Sequence, residues 1–346
     1  MEKKGCRYGT HRVMEPQGVL PQAATKISND MDIYDNEILI DVSALNIDSA
    51  SFAQLEAEAG HDSEKIAARI LEIVEEKGKM QNPVTGSGGM LIGRVERIGK
   101  ALKDRIDVKE GDRIASLVSL SLTPLRIEAI TGIKAEIDRV EVKAKAVLFE
   151  SGLYAKLPED MPENLALAAL DVAGAPAQVA KLVKPGDSVL ILGGSGKSGM
   201  MCCYEAMKRV GPTGRVVACD RDEAAGKMLL SNRFCHDFFA EDARKPVDIM
   251  NRALECNSGC EYDIAINVVN VPNTEMSTIL PVRDGGIVYF FSMATSFTKA
   301  ALGAEGVGKD VTMVIGNGYT KGHAMITLEE LRESAELRAI FEKQYV

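Results

Sequence analysis

The chain runs to 346 residues, 46% of them hydrophobic, enough for one large or two ordinary domains with real cores. Its formal net charge is −9 with a pI near 5.2, and no basic run stands out, so neither nucleic acid nor an anionic membrane is an expected partner. No stretch of about 18 apolar residues occurs and MEKKG opens no apolar signal segment, while seven cysteines without a zinc-type CxxC pair fit reduced thiols. The expectation is a soluble cytoplasmic protein.

Residues 5–22 hold Cys6, Tyr8, His11, Arg12, Pro16 and Pro21, too broken for a long helix, and irregular strands are expected there. EILIDVSALN over 37–46 alternates apolar and polar residues and reads as a strand. From Ser51 to Lys79 the pattern turns helical, with Ile66, Ile70, Ile73 and Val74 at helical spacing. NPVTGSGG is a turn, and MLIGRVERIG (90–99) and DRIASLVSLS (112–121) read as strands, with further strands near 140–142 and 146–149. A linker over 155–160 leads to a helix from Glu163 to about Leu182. Beyond it, helices over 223–231, 246–254 and 274–280 alternate with strands over 237–239, 262–268, 287–292 and 311–316, before a closing helix over 328–343. That alternation predicts a doubly wound parallel sheet, unlike the short strands of the first half.

The stretch KPGDSVLILGGSGKSGMMCCYEAMKRVGPTGRVVACDRD, 184–222, organises the second half. An apolar strand, a glycine loop, a helix and a second strand ending on Asp220 form a dinucleotide-binding unit. Gly193, Ser195, Gly196, Lys197, Ser198 and Gly199 are its loop, where exposed N–H groups at a helix N-terminus cradle a pyrophosphate. The Gly196-Lys197-Ser198 ending also suits a Walker A loop, but that motif needs glycine where position 191 is Ile. Asp220 lies where a carboxylate accepts hydrogen bonds from the adenosine ribose hydroxyls and repels a 2′-phosphate. NAD is therefore expected, with Arg221 beside it keeping NADP possible. Val269, Asn270 and Ser292 follow or end sheet strands, where open α/β sheets bind ligands.

Residues in both halves resemble the medium-chain dehydrogenase/reductase superfamily. EILIDVSALNIDSASF is similar to its early strand and active-site turn, MLIGRVERIG and DVKEGDRIASL to its next strands, and KPGDSVLILGGSGKSG to its nucleotide loop. The seven-residue loop 193–199 is closer to the quinone-reductase branch than to zinc alcohol dehydrogenases. The resemblance implies a Rossmann domain (157–326) and a GroES-like, mainly β catalytic domain (1–156, joined by a C-terminal helix over 327–346). Zinc members carry ligands where this chain has Asp48, Gly89 and Val172. One carboxylate cannot hold a catalytic zinc, and no metal is expected.

Narrower blocks, among them CRYGTHRV, NPVTGSGGMLIG, MATSFTKAALGAEG and GNGYTKGHA, resemble the diaminohexanoate dehydrogenase family of anaerobic lysine fermentation. That resemblance implies NAD(P)-dependent oxidative deamination of L-erythro-3,5-diaminohexanoate to 5-amino-3-oxohexanoate and ammonia. Such chemistry needs a base for the ammonium and a water attacking the imine. Asp48 is the candidate base or ammonium ligand, or else a helix cap. Ser87 could line the same pocket or be a turn hydroxyl. Arg12 and Arg126 are candidate carboxylate forks, His11 and His323 candidate proton shuttles or structural histidines, and Tyr319 a candidate pocket hydroxyl. An NADPH-dependent quinone or enoyl reductase and a non-catalytic NAD(P)-binding protein are the alternatives. A homodimer is expected.

Overall fold

The computed structural model describes residues 3–316 and 318–345. Contacts divide the chain between Glu159 and Asp160 into two units.

In the first unit β1 (Val13–Glu15) and β2 (Lys26–Ile27) form a small hairpin behind a short turn of helix at Thr10–Arg12. β3 (Glu37–Asn46) follows, then α1 (Ser49–Ala59) and α2 (Ser63–Lys77), β4 (Met90–Ile98), β5 (Arg113–Ser116), β6 (Leu125–Lys134), β7 (Arg139–Phe149) and β8 (Tyr154–Lys156). The main sheet is antiparallel in the order β6-β7-β3-β4-β5-β8. The expected helical run over 51–79 is two helices. Gly60 ends α1 at a φ of 63°, and Asp62 caps α2 by accepting from the amides of Glu64 and Lys65. The apolar stripe Ile66, Ile70, Ile73 and Val74 is buried with the inward residues of β3, β4 and β7. The strands expected near 140–142 and 146–149 are one strand, β7. Only 113–116 of the expected strand 112–121 is extended.

The second unit starts with α3 (Glu163–Leu170) and α4 (Gly174–Leu182), then β9 (Ser188–Leu192), α5 (Lys197–Val210), β10 (Arg215–Asp220), α6 (Glu223–Ser231) and β11 (Asp237–Ala240). It continues through α7 (Pro246–Cys256), β12 (Tyr262–Asn267), α8 (Glu275–Ile279), β13 (Val282–Phe290), α9 (Phe297–Val307), β14 (Thr312–Ile315), α10 (His323–Glu333) and α11 (Ala335–Tyr345). The sheet is parallel in the order β11-β10-β9-β12-β13-β14, a doubly wound sheet whose chain reverses direction between β9 and β12. Its strands read as apolar runs because both faces are covered; Val189 to Leu192 and Val216 to Ala218 have no exposed surface.

The helix expected from Glu163 to about Leu182 bends by 54° between α3 and α4, where Pro176 is accommodated in the first turn of the second helix. This bent pair is apolar and long enough to pass for a broken membrane span, and no single described helix is. Its apolar face is core: Leu165, Ala166, Ala169, Ala175 and Val179 are fully buried. The closing helices correct a second expectation. Residues 327–345 belong with the second unit, where α10 packs on α3, α4 and α5 and α11 packs on α3. Leu328, Leu331, Leu337 and Phe341 are buried, and Arg332 forks onto Asp160.

Candidate cofactor and active site

The glycine loop joins β9 to α5 and borders a cavity of about 620 Å³. Gly193 makes the turn at a φ of 87°. A Cβ at Gly199 would stand 2.0 Å from the Gly193 carbonyl oxygen, and one at Gly194 would stand 2.8 Å from Ala218 Cβ. Those two glycines let helix and neighbouring strand close on the loop. Gly196 differs: a Cβ there would come no nearer than 3.6 Å to any protein atom, so the space it leaves is the cavity's. Gly196 is the N-cap of α5 and supplies no side-chain cap. The first-turn amides of a 14-residue helix therefore keep their donors and the positive end of its dipole for a ligand.

Ser195, Lys197, Ser198, Asp220, Arg221, Val269 and Asn270 line the same cavity. Asp220 Oδ2 accepts from the Ser195 amide at 3.2 Å and its hydroxyl at 2.5 Å, and Oδ1 accepts from the Arg221 amide at 2.8 Å. Lys197 Nζ pairs with Asp171 at 2.6 Å and lies 5.5 Å from the centre of the Tyr345 ring. Open amides, a lysine, and a carboxylate at the end of β10 fit a dinucleotide. Ser292, by contrast, does not line the cavity; its hydroxyl accepts from the Ala294 amide and closes a turn after β13.

Three contributions were not foreseen. Glu241, Asp242 and Arg244, in the loop after β11, also line the cavity. Arg244 forks onto Asp242 and its hydrogen bonds hold that carboxyl well below the usual range. Their signal was available, since a strand was expected at 237–239 and ligands bind at carboxyl ends of strands. Asn267, buried at the end of β12, donates to Thr274 and Thr278 hydroxyls and accepts from the Val269 amide at 3.0 Å, which holds the 268–271 loop. Asp171 carries no sequence signal at all.

In the first unit Asp48 caps α1, accepting from the Ser51 amide at 3.0 Å on Oδ1 and from the Ser51 hydroxyl at 2.8 Å on Oδ2. Ser51 Oγ in turn lies 2.5 Å from Thr85 Oγ1. Ser87 joins through its backbone, its amide donating to Thr85 Oγ1 at 3.3 Å. Gly89, where zinc members carry histidine, has a φ of 88° and no room, since a Cβ would stand 2.0 Å from Asn46 O. Among the described residues no three His, Cys, Asp or Glu side chains are grouped to hold a metal.

The partners of Arg12 and His11 lie within the first unit. Arg12 is 2% exposed, and its guanidinium forks onto Glu37 at 2.7 and 2.6 Å while also donating to the carbonyls of Asp30 and Asp32. No edge is left for a substrate carboxylate. His11 Nε2 meets the same Glu37 at 2.8 Å, its ring packs against Tyr34 and Phe149, and its Nδ1 is buried. Arg126 is exposed on β6. Tyr319, in the second unit, sets its ring edge-on to His323 at 5.2 Å and does not line the cofactor cavity. Burial lowers the pKa of His323.

The fold is that of the medium-chain dehydrogenases and reductases. A zinc-dependent alcohol dehydrogenase from Streptococcus pneumonia superposes with a TM-score of 0.54 at 15% identity, over 92% of this chain and 89% of that one. An alcohol dehydrogenase from Thermus sp. ATN1 gives 0.53 at 18%, over 91% and 89%. The Escherichia coli quinone oxidoreductase complexed with NADPH gives 0.50 at 16%, over 90% and 80%.

Sequence narrows this further. A family model described as the L-erythro-3,5-diaminohexanoate dehydrogenase N-terminal domain matches residues 11–158. The L-erythro-3,5-diaminohexanoate dehydrogenase of Acetoanaerobium sticklandii is 71% identical over 343 residues, 99% of this chain and 100% of the relative. Its namesake from Fusobacterium nucleatum is 69% identical over 344 residues, with the same coverage. The chain belongs to the L-erythro-3,5-diaminohexanoate dehydrogenase family.

Proposed function

We propose that this chain oxidises the C3 amine of L-erythro-3,5-diaminohexanoate with NAD, releasing 5-amino-3-oxohexanoate and ammonia, as a cytoplasmic step of anaerobic lysine degradation. The observation that carries the reading is the end-to-end similarity to dehydrogenases named for that substrate. The dinucleotide, when bound, accepts the hydride. The residues of 193–199 hold its pyrophosphate, and the Asp220 carboxylate takes the ribose hydroxyls. Arg221 and Arg244 on the same cavity make NADP the weaker second cofactor.

Asp48 is the proposed base. An ammonium has no lone pair to drive hydride loss, so it must first give up a proton. The Asp48 carboxylate makes two short contacts to Ser51, and a carboxylate's remaining lone pairs can still accept from a substrate ammonium. Seven unpaired cysteines support a reducing compartment. The working unit is proposed to be a homodimer. β14 is the outer strand of its sheet, and Ile315 at its end is more than 60% exposed, as are Met293, Phe297 and Leu302 earlier in the chain.

The test is steady-state kinetics at 340 nm with the purified chain, the diamino acid, and NAD or NADP separately. NADH formation with kcat/KM at least ten-fold above that for NADP is expected. Asp220→Asn should narrow that preference. Flat traces with both cofactors would overturn the substrate.

A further inference from the structure

We propose that Ser51 and Thr85 form a two-hydroxyl relay carrying the proton released in each turnover from the Asp48 carboxylate to solvent. The proposal rests on the oxidative deamination above, with Asp48 as its base.

The reaction's balance creates the need. Substrate ammonium, NAD⁺ and water give ketone, ammonium, NADH and one proton. The C–H bond breaks with its electron pair going to the cofactor, the C–N bond is replaced by the oxygen of water, and one proton must leave per cycle. A base that keeps it cannot turn over.

The geometry offers a route. Asp48 Oδ2, Ser51 Oγ and Thr85 Oγ1 stand in line at 2.8 and 2.5 Å. Ser51 is fully buried, and Thr85 is exposed. Capping α1 needs only the Ser51 amide on Oδ1; the hydroxyl contact and its continuation to a residue 34 positions away lie beyond that need. The join is built by the fully buried Asn82. Its Oδ1 accepts from the amides of Val84 and Thr85 at 2.8 and 3.1 Å, and its Nδ2 donates to Ser51 O and Gln54 Oε1 at 3.2 and 2.7 Å. This side chain sets the 82–87 turn against the first turn of α1.

Donor directions follow from chemistry. An ionised carboxylate only accepts, so the Ser51 hydroxyl points at Asp48 and the Thr85 hydroxyl at Ser51. Once Asp48 has taken a proton, the hydroxyls turn about. The carboxyl O–H bond then breaks as Ser51 Oγ gains that proton, Ser51 passes its own to Thr85, and Thr85 passes its own to water. Asp48 is again a carboxylate. Ser51 and Thr85 act through Asp48 and are positioning residues rather than catalytic ones.

The experiment compares Thr85→Val, Thr85→Ser, Ser51→Ala and Asp48→Asn in the full chain. Thr85 is exposed, so its valine variant should fold; Tm and NADH affinity by fluorescence titration are measured for every variant. Thr85→Val is expected to lower kcat about 10- to 100-fold, with KM and NADH affinity kept. Small buffer bases should restore its rate, a dependence the native chain lacks. The solvent deuterium isotope effect on kcat should rise, and Thr85→Ser should recover most of the rate. Native kcat in both Thr85→Val and Ser51→Ala, beside an inactive Asp48→Asn, would overturn the relay and leave the base standing. A loss that buffer does not rescue would make the role structural and also overturn it. Full activity in Asp48→Asn would remove the base, and the relay with it.

Discussion

At the residue scale, two buried acids show how partners decide what a charged side chain does. Burial pushes the pKa of Glu37 up, but hydrogen bonds from Arg12, His11 and the Tyr34 amide outweigh it and hold the carboxyl at about 2. Arg12 and His11, which look chemical in the sequence, spend these groups on Glu37, while His11 Nδ1 is buried without a hydrogen-bond partner among the described residues. Glu330 on α10 is the opposite case. It has no exposed surface, and neither oxygen has a hydrogen-bond partner among the described residues. Burial, then the nearby charge of Glu205, push its pKa well up, against the opposing charges of Lys208 and Arg209. Its pKa in the fold thus exceeds the unfolded value, so its contribution is fully present below the unfolded pKa and is lost as pH rises through the raised one. Thermal melts should show stability falling as pH rises from the ordinary carboxylate value through the raised one, with Glu330→Gln flattening that slope. Above the raised pKa the variant should gain about 1–3 kcal/mol. An unchanged slope would show that Glu330 is ionised and paired in the fold.

At the element scale, the dinucleotide unit was legible because strand, glycine loop and helix each follow local rules. What the sequence hid is equally physical. β6 was missed because it is an edge strand with irregular register and an internal Gly132, so its burial does not alternate. α9 was missed because Gly303 and Gly306 interrupt its pattern; Gly303 lies so close to Met276 that a Cβ would stand 2.2 Å from its sulfur. Thr85 carries no sequence signal, because only folding brings its turn to α1. The two loop glycines give a contrast to measure. Gly199→Ala drives a Cβ into the Gly193 carbonyl, so both Tm and NADH affinity should fall. A Cβ at Gly196 makes only an ordinary contact with the protein, 3.6 Å from the Gly193 carbonyl oxygen, so in Gly196→Ala Tm should hold within about 2–4 °C while affinity drops ten-fold or more, about 1.4 kcal/mol. Equal effects of the two on affinity and Tm would contradict a cavity-facing Gly196.

At the scale of the whole molecule, the change in pattern along the chain predicts a first half of short strands and a doubly wound second half, and the first half is an antiparallel sheet. The placement of the last two helices does not follow from it, because a superfamily-level resemblance cannot say which unit an amphipathic C-terminus packs on. The outer position of β14 and the exposed Ile315 at its end carry the oligomer prediction. Light scattering should give about twice the 37.3 kDa chain mass, and Ile315→Lys should return it to one chain. A monomeric native protein would refute the edge contact.

Hydride transfer from an amine-bearing carbon to NAD is tested by one turnover series with L-erythro-3,5-diaminohexanoate deuterated at C3, following reduced cofactor by mass spectrometry and ammonia by titration. One deuterium in the reduced nicotinamide and one ammonia for each cofactor reduced are expected. Unlabelled NADH, or NADH formed without ammonia, would contradict that transfer.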